Sequence, residues 1–233
     1  MRAPSAKLIV AFALGSLLLA VPAGCAQSQS RKWYDPFGLF AKQDEPGPPK
    51  VMSSVERIKI LRELADRAPK LTPEQQEKAS TEIAQALSNE DDTLVRGQML
   101  RTIAVMPTRT ASTMLAAGLQ DADRDVRVAC CEAWGKRGGD DAVKLMVETL
   151  RSDGDVDVRL AAARALGELK DPKAVEALGA ALDDQDPAIQ YRSIESLRKI
   201  TGKSYSSIQD WRLYVQGKEP EPPSVAERLR QLF

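Results

Sequence analysis

The chain has 233 residues, 43% hydrophobic but only 5% aromatic, with 28% charged and a formal net charge of zero. That is enough apolar residue for a packed core, and a composition rich in Ala, Leu and charge suits helices. Balanced charge argues against a nucleic-acid partner, which calls for a basic excess. The absence of histidine removes the commonest general base and metal ligand.

Arg2 and Lys7 flank the start of a largely apolar run, Leu8 to Val21, that is short for a membrane span. This pattern predicts a signal peptide over residues 1–24. Ala23-Gly24-Cys25 closes it and resembles the lipobox of bacterial lipoproteins, with Pro22 where that family usually has a Leu-like residue. The resemblance implies a lipidated Cys25 as first mature residue and a membrane anchor on the periplasmic side of a bacterial envelope. Ala26 after the cysteine tilts the expectation toward the outer membrane. A soluble exported protein cut after Ala26 is the alternative, and an uncleaved transmembrane anchor a more distant one.

Residues 25–52 read as a tether, polar at Gln27-Ser28-Gln29-Ser30 and broken at Pro46-Gly47-Pro48-Pro49. Within it Trp33, Tyr34, Phe37 and Phe40 crowd into eight residues. Two readings stand: a strap or collapsed linker against the first helices, or a docking peptide lying on a partner or at the membrane interface.

Residues 53–202 read as helices throughout. Ser53 and Glu56 form a capping box ahead of an apolar stripe through Ile58, Leu61 and Leu64. Thr72-Pro73-Glu74-Gln75 opens the next helix in the same way, with proline at the first position. From there a 31–32-residue template repeats, aligned on Val95, Val126, Val158 and Ile189. An Asp stands three residues before each (Asp92, Asp123, Asp155, Asp186), and a Leu seven or eight before (Leu87, Leu119, Leu150, Leu182). Each unit reads as helix A, an acidic turn and helix B. The A helices fall at about 73–88, 109–119, 140–151 and 172–182, the B helices at about 93–106, 124–137, 156–169 and 187–200. The aligned Asp residues sit where a carboxylate satisfies free N–H groups and the helix dipole. One such pair cannot bury its apolar face alone, so the units must stack.

Asp157-Val158-Arg159-Leu160-Ala161-Ala162-Ala163-Arg164-Ala165-Leu166-Gly167, followed by Asp171-Pro172-Lys173-Ala174-Val175, resembles a HEAT repeat of the short bacterial type first named from phycobilisome lyases. Asp125-Val126-Arg127-Val128-Ala129 repeats its core, and the likeness spans about residues 73–202. It implies an all-α, α-α superhelix of about four helix pairs with extra N- and C-terminal helices. It also implies a structural ladder of a turn Asp and an Arg six residues on: Asp121 with Arg127, Asp153 with Arg159, with Glu90 and Arg96 in the first unit and Gln190 opposite Asp184 in the last.

Residues 203–217 follow the array. Gly202 fits a helix stop, and Ile208, Trp211 and Tyr214 on a short helix (Ser207 to Gln216) would cap the last unit. This stretch resembles a tail that follows HEAT arrays in bacterial envelope proteins. Residues 218–233 are a Pro/Glu linker and a short amphipathic helix opened by Ser224 and Glu227, which folds back on the array or docks on a partner.

No catalytic constellation, phosphate loop or metal-spaced cluster stands out, so no catalytic residue, metal ligand or cofactor is expected. Cys130 and Cys131 are neighbours on a helix and read as buried free thiols. Acid pairs such as Asp140-Asp141 and Asp183-Asp184 sit at helix starts and turns. The expected function is a non-enzymatic scaffold that binds a protein or peptide on the concave face of the B helices, through Gln98, Arg101, Glu132, Arg164, Arg192 and Glu195. The row Arg101, Glu132, Arg164, Glu195 alternates in sign, a poor groove for nucleic acid. A structural envelope protein that assembles through its ends is the second reading, and a chromophore lyase, suggested by the resemblance, the third.

Overall fold

Ser53 and Glu56 exchange hydrogen bonds in the expected capping box and start α1 (Ser54–Arg67). The computed structural model describes residues 52–218 and Pro220. The signal peptide, Cys25, the aromatic segment 33–40 and the terminal helix 224–233 all fall outside those residues. α2 (Pro73–Leu87) opens with Thr72 and Gln75 as its reciprocal pair. Then follow α3 (Thr93–Ala104), α4 (Arg109–Gly118), α5 (Arg124–Arg137), α6 (Asp140–Ser152), α7 (Val156–Leu169), α8 (Val175–Ala180), α9 (Pro187–Thr201) and α10 (Ile208–Val215). No strand occurs among the described residues.

The four aligned Asp residues are the N-caps of α3, α5, α7 and α9, each accepting from a backbone N–H two residues on. The fourth A helix departs from the expected 172–182. It is a 3-10 turn (Pro172–Ala174), then α8, then a second 3-10 turn (Ala181–Asp183). Gly179, the poorest helix former after proline, lies inside this segment. Its bare Cα lets Val215 of α10 close in: a Cβ there would lie 2.3 Å from Val215 Cγ1.

The helices form two layers. α1, α3, α5, α7 and α9 pack side by side as one layer, while α2 meets α4 and α8 meets α6 and α10 in the other. Thus α1 is more than an added N-terminal helix. Ser53 takes the place of the capping Asp92, and Arg57 the place of Arg96. The Thr102 hydroxyl donates to the Leu61 carbonyl at 3.1 Å, as the Ser196 hydroxyl donates to Ala163 at 2.7 Å, at matching positions of the register. α1 is a B helix, and α10 holds the place of a further A helix.

Small residues set the B-layer spacing. A Cβ on Gly135 would lie 3.0 Å from Ala165 Cβ, and one on Gly167 would lie 3.0 Å from Ser196 Cα. The A helices touch less, and α4 and α6 leave a cleft between them. A layer with shorter spacing forms the inside of a bend, so the B helices line the concave side. Between the layers Val95, Met99, Ile103, Val126, Val158, Leu166 and Ile189 are buried, with Leu115, Met146 and Leu182 from the A side. Of the four aligned leucines, Leu119, Leu150 and Leu182 are buried and Leu87 only half-buried.

Candidate functional site

The Arg row of the B helices is committed to the fold. Arg127 donates from Nε and Nη2 to the two carboxylate oxygens of Asp153, at 2.9 and 3.2 Å, and from Nη1 to the Asp121 carbonyl at 2.9 Å. Arg96 grips Asp121 through Nε and Nη2 at 3.1 and 3.0 Å, Arg159 reaches Asp184 at 3.5 Å, and Arg57 pairs with Glu90. This corrects the pairing that the resemblance implied. An Arg meets the turn acid six residues earlier only at its backbone carbonyl, and the carboxylate it binds belongs to the next unit. Asp184 is therefore occupied by Arg159, while Gln190 donates to its carbonyl at 2.8 Å.

Each turn acid also accepts the backbone N–H of the following cap, as Asp121 does from Asp123 at 2.9 Å. Burial pushes the Asp121 carboxyl up, but the hydrogen bonds from Arg96 and the Asp123 N–H, with the charges of Arg96 and Arg127, outweigh it and hold its pKa below the usual value. Asp92 is lowered chiefly by the Ser54 hydroxyl, which donates to it.

The concave row is largely self-paired. Arg101 binds Glu132 at 3.3 Å, Arg164 binds Glu168 at 3.3 Å along its own helix, and Glu195 binds Arg198 at 2.7 Å. Gln98 is only 8% exposed and lies between Arg62 and Thr102, so it is not a surface contact as expected. Of the six candidates, Arg192 alone is a cation with no ion pair among the described residues, and it is half-buried. Lys136 and Lys199, which the sequence reading passed over, are exposed and likewise unpaired among those residues. Both stand ten residues past the aligned position, in the row whose α7 member is Glu168.

A notch of about 140 Å³ opens between α5 and α7, lined by Glu132, Lys136, Arg164 and Glu168. The cleft between α4 and α6 is larger, about 350 Å³, with Leu119, Leu145 and Thr149 on its walls and the Arg127–Asp153 pair beside it. Of the carboxylates that line them, Asp153 is held by Arg127, Glu132 by Arg101 and Glu168 by Arg164. Cys130 and Cys131 are free and fully buried, burial being the main cause that raises both thiols, Cys131 to about 12.

One structural residue escaped the sequence reading. Arg137, at the end of α5, donates to the carbonyls of Ala104, Met106 and Thr108 at 3.1, 2.6 and 2.9 Å, and to the Ser112 hydroxyl at 2.9 Å. It clamps the connection between α3 and α4, and burial lowers its pKa. At the other end Trp211 is buried against Tyr205 and Tyr214, with ring centroids 4.9 and 6.0 Å away.

The family profile described as HEAT repeats matches residues 80–156 and 143–210, together more than half of the chain. No curated protein matches. Among solved structures the chain is similar to an engineered protein, at 21% identity and a TM-score of 0.41, over 64% of this chain and 74% of that one.

Proposed function

Because the chain belongs to the HEAT-repeat family, whose repeats commonly mediate protein interactions, we propose that it is a non-enzymatic scaffold. It binds a protein or peptide along the concave B layer while a lipid on Cys25 tethers it to the bacterial envelope. The supporting observation is the charge left over on that face. Ion pairs occupy Arg101, Glu132, Arg164 and Glu195, and over α5, α7 and α9 Lys136, Arg192 and Lys199 remain. A partner segment carrying carboxylates complements them, with the exposed Arg101–Glu132 pair able to exchange partners at little cost.

The test is a photo-crosslinker at position 199 in the native membrane. One envelope protein should be captured repeatedly, and Lys136→Glu with Arg192→Glu should abolish its capture. Capture unaffected by charge reversal would sink the concave-face reading. Tethering is tested apart from binding: Cys25→Ser should release the protein from the membrane pellet, and a variant that still pellets rules out the lipid anchor.

A further inference from the structure

Among the described residues no further B helix follows α9 in the layer. The side of a B helix that meets its successor carries the positions two, five and nine residues after the aligned one. Gly97 faces Ala129, Cys131 faces the Val158 carbonyl, and Gly135 faces Ala165. At the middle of these positions Leu100, Cys131 and Ala163 are all buried. In α9 the same positions are Tyr191, which is 61% exposed, Ile194, only half-buried, and Arg198. This side of α9 is built like an interface.

We propose that residues 225–233 form a sixth B helix that packs on this side of α9. α10 already occupies the A-layer place that precedes such a helix, and residues 221–233 follow it outside the described residues. Aligned on Ile189, the segment places Val225, Leu229, Leu232 and Phe233 at the positions that Ile189, Ser193, Ser196 and Leu197 hold, all of them buried in α9. Pro223 falls on Pro187, and Arg228 on Arg192. The positions that would face a further unit are Glu227 and Arg230, charged as the outer face of a terminal unit requires.

A second copy is the poorer occupant. The near side of its α1 presents the charged Glu56, Lys59 and Glu63 at the matching positions, with the exposed Val55 beside them, a poor match for Tyr191 and Ile194.

The register fixes the test. A Cβ on Gly97 lies 3.6 Å from Ala129 Cβ, within the range a disulfide spans, and the equivalent pair here is Tyr191 with Arg228. In the full chain, Tyr191→Cys with Arg228→Cys should oxidise to an intramolecular disulfide, read as a 191–228 linked peptide from the monomer. Tyr191→Cys with Glu227→Cys, one position round and facing outward, should not. Adding Leu229→Glu and Leu232→Glu should reduce the 191–228 bond at least several-fold. No bond, equal bonding in both pairs, or a bond found only between two chains would overturn the proposal, the last in favour of a second copy. Concave-face capture through position 199 reads the scaffold function separately, so either result can fail alone.

Discussion

Arg127 ties three units of the array together: it holds both carboxylate oxygens of Asp153 in the following turn and the Asp121 carbonyl in its own, while Asp121 is held by Arg96 from the unit before. Both side chains of the Arg127–Asp153 pair are well shielded, at 17% and 10% exposure. Removing one partner therefore strands the other rather than returning it to water. Arg127→Ala should cost about 2–3 kcal/mol, and Arg127→Lys, which cannot make the two-pronged contact, about 1–2 kcal/mol. Urea unfolding measures both. A double-mutant cycle with Asp153→Asn should show coupling of about 1 kcal/mol or more. Additive losses would mean the ladder is ornamental.

The close B-layer spacing predicts a contrast between two glycines. A Cβ on Gly167 would sit 2.6 Å from Ser196 Oγ and 3.0 Å from its Cα, so the backbone of α9 must move. Gly167→Ala should destabilise by about 1–3 kcal/mol. Gly154, in the turn before α7, has open space around its Cβ position, and Gly154→Ala should stay within about 0.5 kcal/mol of the parent. Thermal unfolding of the two variants decides this.

The helices, their caps and the repeat were legible because the four aligned units write nearly the same signal: Asp three before an apolar residue, and Arg just after it except in the fourth, which has Gln190. What was not legible depended on neighbours in space. Arg127 and Asp121 are six residues apart in sequence, but the next turn brings Asp153 closer to the guanidinium. α1 hid its place in the B layer because Glu56 stands where other units have Val or Ile and Ser53 replaces the capping Asp; Arg57 was the surviving clue. On the concave face, residue type suggested contacts but not which charges would neutralise one another, so Lys136 and Lys199 went unnoticed behind Arg101 and Glu132. Arg137 could not be found by repetition along the four aligned units, since the matching residues of the others are Met106, Leu169 and Ile200.

Acid should weaken the array in a defined window. The folded-state pKa values of Asp121 and Asp92 lie below their unfolded values of about 3.9. Their stabilisation is thus complete above that pH and is lost as the pH falls through the lower folded values. With no histidine in the chain, stability should fall below about pH 4, offset in part by Glu82, whose carboxyl pKa burial raises. Asp121→Asn should lower the plateau and flatten the acid limb. Urea midpoints across this range check it, and a transition near pH 6 would contradict the assignment.

Both thiols should be silent in the folded protein. Burial raises Cys131 to about 12 and Cys130 further, so almost no thiolate exists at pH 8, and neither sulfur is exposed. A thiol reagent should label them at least about 100-fold more slowly than a free cysteine, with full labelling only in denaturant. Rapid native labelling at position 130 or 131 would show that α5 opens on its own.

Arg137 gives the sharpest test of how stability is distributed. Its four donated bonds reach three carbonyls and a hydroxyl where α3 ends and α4 begins; the Thr108 N–H also donates to the Met106 carbonyl, and the Ser112 hydroxyl to the Thr108 carbonyl. Arg137→Ala leaves them without that donor in a partly buried corner and should cost about 2–4 kcal/mol; Arg137→Lys, which can reach one or two of them, should cost about 1–2 kcal/mol. In a stacked array such damage acts through nearest neighbours. Hydrogen exchange should therefore speed up first in the 104–112 connection and the helices it joins, while α7 and α9, held by Arg159–Asp184 and by Gly167 against Ser196, keep their protection. Uniform loss across all helices would instead mean that the array unfolds as one unit and that the clamp acts on global stability alone.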